Sequence, residues 1–180
     1  MKKYLLSLSI LSGLLYAGST QNTPVELGYK QIKLGMTSEE INALSGLHFH
    51  KCDASVCIED SFGNTLGGSV LNRPVLIMMK ENKAGAIYLE SDSKNFSQIS
   101  LAYITKYGEP TEKIDGVVQN RMGAEFSNKK YTWKNSDGFI TLQERSKTVD
   151  KMSIKIISNS YLQSSAKDLE KNVQKNSGDL

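Results

Sequence analysis

The sequence predicts an α+β domain with helices packed on one face of an antiparallel β-sheet. Two segments place apolar residues at helical spacing and end on glycine, and several short runs alternate apolar and polar residues around tight-turn residues. Their order, helix then hairpins and again helix then hairpins, matches helices laid on an antiparallel sheet. It also suggests a duplicated helix-plus-strands unit.

The chain opens with a stretch that reads as a signal peptide, residues 1–19. Lys2 and Lys3 supply a charged start, Tyr4 to Leu15 an apolar run, and Ala17 and Ser19 the small residues that fit positions −3 and −1 of a cleavage site. The run is shorter than the roughly 20 residues a membrane-spanning helix needs, so no stable membrane insertion is expected after cleavage. The expected location is periplasmic or secreted. Residues 20–28 read as a polar linker, 29–161 as a single domain, and 162–180 as a C-terminal tail or short helix.

Tyr29 to Leu34 is expected as a short edge strand or arm. Thr37-Ser38-Glu39-Glu40 then forms a capping box, in which Thr37 accepts from the amide of Glu40 while Glu40 reaches back. Ile41 and Leu44 supply the apolar face, and Gly46 ends the helix in the left-handed conformation. Leu47 to Ile58 reads as a strand, a tight turn and a return. Export would place Cys52 and Cys57, the only cysteines, where thiols oxidise, so a disulfide closing this turn is expected.

Phe62 to Gly68 reads as a glycine-rich loop. Val75 to Lys80 and Ala86 to Glu90 form a hairpin turning at residues 81–85, and Asn95 to Tyr107 a second helix stopped by Gly108 and Pro110. Ile114 to Asn128 shows no period and reads as a long, partly ordered connection. Tyr131 and Trp133, a turn at Asn135-Ser136-Asp137-Gly138, and Ile140 and Leu142 make another hairpin. Met152, Ile154 and Ile156 alternate in a last strand. Leu162, Ala166, Leu169 and Val173 could line a short amphipathic helix, with fraying the alternative. The duplicated unit finds a faint echo between Gly35-Met36-Thr37 with Ile41 and Gly108-Glu109-Pro110-Thr111 with Ile114.

The charge balance points to no polyanionic partner. With 22 Lys and Arg against 19 Asp and Glu the chain carries +3, and loss of Lys2 and Lys3 would leave +1. Neither nucleic acid nor a charged membrane surface is implied. No Gly-x-Ser-x-Gly elbow or phosphate-cradling loop is present, so no enzyme and no cofactor are expected. His48, His50 and Cys52 alternate and would share one strand face, a spacing suited to zinc or copper, with Asp53, Glu59 or Asp60 as further donors. A disulfide would remove Cys52 and leave His48 and His50 as a weak candidate pair. Gln119, Asn120, Arg121 and Met122, in the irregular connection, are the candidate partner-binding residues.

The stretch from Leu34-Gly35-Met36-Thr37-Ser38-Glu39-Glu40-Ile41 to Gly46 resembles the helix opener of small exported proteins of the SmpA/OmlA and β-lactamase-inhibitor-protein-like group. The resemblance implies a helical pair on an antiparallel sheet and a role in binding another protein. The chain departs from the SmpA/OmlA lipoproteins in having no cysteine at the cleavage region. The expected function is therefore an exported, non-catalytic protein-binding module, an inhibitor or envelope accessory factor, whose partner is another envelope or secreted protein. The alternative is a periplasmic metal-binding protein using His48 and His50.

Overall fold

A computed structural model describes residues 26–60 and 64–176. The expected signal peptide and most of the expected linker lie outside the described residues. The elements in chain order are β1 (Gly28–Tyr29), β2 (Ile32–Lys33), α1 (Ser38–Asn42), β3 (Phe49–Cys52), β4 (Val56–Glu59), β5 (Thr65–Leu66), β6 (Ser69–Val70), β7 (Val75–Lys80), β8 (Lys83–Asp92), α2 (Phe96–Tyr107), β9 (Glu112–Gln119), β10 (Glu125–Lys134), β11 (Gly138–Gln143), β12 (Lys151–Ser158) and α3 (Asn159–Asn176).

Eight strands form one antiparallel sheet in the order β3-β4-β7-β8-β12-β11-β10-β9. Each half is a four-stranded meander preceded by a helix, α1 for β3-β4-β7-β8 and α2 for β9-β10-β11-β12. The halves meet through their last strands, β8 and β12. This is the duplicated helix-plus-strands arrangement, but not with the equivalence suggested by the sequence. Gly35-Met36-Thr37 leads into α1, whereas Gly108-Glu109-Pro110-Thr111 leads away from α2. The corresponding residues are Gly46 and Gly108, each following a helix with positive φ (75° and 78°).

Strand alternation builds the core from cross-strand rows. Cys57, Ile77, Ile87, Ile156, Ile140 and Trp133 lie opposite one another from β4 to β10, and Leu89, Ile154, Leu142 and Tyr131 form the next row. Ile41 of α1 and Phe96, Ile99 and Tyr103 of α2 join the same core. Tyr103 meets Trp133 at 5.8 Å between ring centroids, and Trp133 Nε1 donates to the carbonyl of Gly108 at 2.8 Å. The α+β class with helices against one face of an antiparallel sheet is thus observed for α1 and α2.

Local chemistry explains the element ends. The capping box forms as expected, with Thr37 Oγ1 accepting from Glu40 N and Glu40 Oε2 accepting from Thr37 N, although α1 stops at Asn42 rather than running to Gly46. Glu81 and Asn82 both have positive φ (52° and 57°), a two-residue turn whose twist matches the flanking strands. The hairpin is tighter than residues 81–85 because β8 already starts at Lys83. Asn82 also docks the hairpin on α1, accepting from Ser38 Oγ at 2.6 Å and donating to Glu39 Oε2 at 2.9 Å.

Three further expectations are corrected. Tyr29 to Leu34 is no edge strand of the main sheet: β1 and β2 pair only with each other, and Tyr29 and Ile32 are buried in the core. Thr65 to Val70, overlapping the end of the expected loop, form the small β5–β6 hairpin, which turns on Gly67 and Gly68. The C-terminal segment is helical from Asn159, three residues before the expected boundary. Tyr161 seats its ring where a Cβ on Gly85 would stand, and Asp168 pairs with Lys80. Lys80 follows the core residue Met79 in β7 and points to the opposite side, so α3 runs along the face away from α1 and α2.

Candidate interaction surface

The largest departure from the sequence reading lies at 114–128. This segment is not irregular: β9 and β10 pair through eight positions, from Thr132 opposite Glu112 to Glu125 opposite Gln119. Periodicity was absent because β9 is the sheet edge and nearly every side chain on it is exposed. Without one buried face, alternation has no reason to appear. β10 pairs with β11 only from Lys130 onward, so residues 115–129 form a two-stranded arm extending beyond the body of the sheet.

The root of the arm is braced. Glu144 Oε2 accepts from Lys129 N at 2.9 Å, and Asn128 Oδ1 accepts from Arg145 N at 2.8 Å. The Arg145 side chain donates to Ser127 O at 2.6 Å and to Ser93 Oγ at 3.1 Å, bonds Val149 O, and lies over the Phe126 ring. One guanidinium thus ties the arm to the short turn that precedes α2 and to the β11–β12 connection. Its several donors in a fixed fork suit that task.

The four sequence-predicted residues occupy the tip and divide into two kinds. Gln119 Nε2 donates to Glu125 Oε1 at 2.9 Å, and Asn120 Oδ1 accepts from the amides of Met122 and Ala124, both at 2.9 Å. These two shape the turn, which Gly123 completes with φ 83°. Arg121 and Met122 are presented outward, Met122 being 93% exposed. Val117, 64% exposed on β9, adds an apolar side chain on the arm, while Ile114, 45% exposed just below it, faces the opposite side of the strand. Sequence reasoning missed both, along with Phe126 and Arg145. The available signal was the β-rich run Val117-Val118 separated from Phe126 by Asn120 and Gly123.

The histidine cluster does not assemble as expected. A register shift between Phe49 and Lys51 places a bulge at His50, which breaks the alternation that would have aligned His48, His50 and Cys52. Both histidines are exposed, Cys52 is bonded to Cys57, and Asp53 is held in the turn by Ser55 and Val56. Those bonds hold the Asp53 carboxyl well below its usual pKa, led by the hydroxyl and amide of Ser55. Among the described residues no three His, Cys, Asp or Glu side chains stand close enough together to hold a metal ion.

The expected disulfide is present. Cys52 and Cys57 face each other with Cα atoms 3.8 Å apart, next to the pair joined by the Asp53 N to Val56 O bond. This is a non-hydrogen-bonded antiparallel position, where strands approach most closely.

A second polar feature is internal. Glu59, 1% exposed, lies opposite Val75, and its Oε1 accepts from Lys30 Nζ at 3.2 Å. Its Oε2 and the Tyr29 hydroxyl have no hydrogen-bond partner among the described residues. Burial, with a smaller effect of the Glu59 charge, pushes the Tyr29 hydroxyl well above the usual phenol range. A small cavity of about 110 Å³ opens nearby between Tyr29, Lys30, Leu66, Tyr103, Lys106 and Tyr107.

Fold and surface together describe an α+β protein with a duplicated helix-and-meander plan and an exposed β-arm. Comparison with protein-family models, curated proteins and solved structures found no match to this chain. No helix among the described residues is long and apolar enough to cross a membrane.

Proposed function

We propose that this chain is an exported, non-catalytic protein-binding module that engages another envelope or secreted protein through the β9–β10 arm. The observation that carries the reading is a braced hairpin extending beyond the sheet with Met122 and Val117 turned to solvent. Apolar side chains on a projecting arm contribute little to their own fold, while an exposed methionine adapts to varied partner surfaces. Among the described residues nothing pairs with the outer side of β9, a strand edge to which a partner's extended segment can add. The resemblance of the Leu34 to Gly46 opener to exported inhibitors and envelope proteins supports the same class.

The test is affinity capture of the chain from its host's envelope and secreted fractions, followed by binding titration of the captured protein. A Met122→Asp, Val117→Asp double variant, with circular dichroism unchanged, is expected to lose the partner. Failure to capture any such protein at micromolar concentration, or equal capture by the double variant, would count against the arm as the binding element.

A further inference from the structure

A second surface lies far along the chain from the arm. The side of α3 that meets the sheet carries Tyr161, over Gly85, and Asp168, paired with Lys80. On a different side Leu162, Leu169 and Val173 are 51%, 65% and 61% exposed, and Ala166 between them is exposed too. These four follow one another at intervals of four, three and four residues, the spacing of a coiled-coil seam. No described residue covers them.

We infer that this seam pairs with the same seam of a second copy of the chain, the two α3 helices running antiparallel. The four-three-four spacing reads identically in both directions, so an antiparallel copy sets Leu162 against Val173 and Ala166 against Leu169, and then repeats both layers. Every layer joins a larger to a smaller side chain, as a filled interface requires. A parallel copy would instead stack Ala166 on Ala166 and leave a gap. The flanking residues agree: Glu170 falls between the other copy's Gln163 and Lys167, and no two like charges oppose each other across the seam. Opposed helix dipoles add to the preference. Two helices meeting over so short a seam bury well under the ~1,200 Å² typical of a stable specific interface, so the dimer is weak and reversible.

Sedimentation velocity on the chain as recovered from cells, from about micromolar to about millimolar concentration, tests this. A concentration-dependent dimer is expected, with Leu169→Glu raising its Kd at least about tenfold and Leu101→Glu, on the exposed side of α2, leaving it unchanged. Separately prepared Ala166→Cys and Leu169→Cys chains, once mixed and oxidised, are expected to crosslink with each other faster than either does with itself. A monomer at every concentration, or a dimer indifferent to Leu169→Glu, overturns the seam as the contact. Faster self-crosslinking of Leu169→Cys overturns the antiparallel arrangement.

Discussion

The guanidinium carbon of Arg145 stands 5.1 Å from the centroid of the Phe126 ring, and this contact marks where the arm leaves the body of the protein. Arg145→Ala removes the cation–π contact together with the bonds to Ser127, Ser93 and Val149. The expected cost is about 2 kcal/mol, because charge-assisted hydrogen bonds and a partly exposed cation–π pair are of that order. Hydrogen exchange should show the loss concentrated at residues 115–129, with the core amides of β8 and β12 little changed. Arg145→Lys should not restore protection, since an ammonium cannot reproduce the fork.

Asn82 combines a strained turn with a dock on α1. Asn82→Gly keeps the left-handed turn but loses the contacts to Ser38 and Glu39, while Asn82→Ala loses both. Urea unfolding should place the alanine variant about 1 kcal/mol below the glycine variant, the cost of left-handed backbone with a Cβ. Equal stabilities would show that the turn conformation carries no part of the effect.

The buried pair gives an asymmetric prediction. Lys30→Met leaves Glu59 as an uncompensated charge in the core and should cost about 3 kcal/mol or more, whereas Glu59→Gln removes that charge and should cost less than about 1 kcal/mol. Lys30 keeps enough solvent access to find water when its partner is neutral. The double variant should lie nearer Glu59→Gln than Lys30→Met in thermal unfolding.

Asp53 links the disulfide turn to pH. Its folded pKa is depressed by the bonds from Ser55 and Val56, so its contribution is fully present above the unfolded carboxylate pKa of about 3.9. It is lost as pH falls through that range toward the folded value. The stability difference between the wild type and Asp53→Ala should therefore be largest at neutral pH and shrink in strong acid. An NMR titration should find the Asp53 carboxylate still ionised where ordinary aspartates have protonated.

Reduction separates the turn from the fold. The disulfide closes a loop of only a few residues between β3 and β4, for which the chain-entropy model gives roughly 2 kcal/mol. Urea unfolding with and without reductant should show that loss without abolishing the transition, since the rows from Ile77 to Trp133 do not depend on it.

Much of this fold is legible wherever a segment has one wet and one dry side. Trp133, Ile140, Leu142, Ile154 and Ile156 announce their strands through alternation, and Thr37 with Glu40 announces α1. The edge strand β9 is silent because water surrounds it, and the His50 bulge is silent because one inserted residue leaves no mark in composition. Gln119 to Met122 stand out in the sequence only as an Arg and a Met in what reads as an irregular connection; their place at a hairpin tip follows from the pairing of β9 with β10. Arg145 does not stand out at all, because its partners Phe126, Ser127, Ser93 and Val149 come together only once the second meander has closed.

The junction of β8 with β12 has a consequence for how the protein is made. β8 ends at Asp92 and its second sheet neighbour begins at Lys151, so the first meander waits for nearly the whole second half before the free edge of its inner strand is paired. Until then Ala86, Ile87 and Leu89 form an apolar strand with an open edge, the kind that templates intermolecular pairing. Chain emergence from the N-terminal end leaves this edge open until β12 is made, and long-range pairing of this sort slows folding. A chain cut short before residue 151 should aggregate rather than fold as half a protein. The duplicated halves are therefore alike in plan but not independent in assembly.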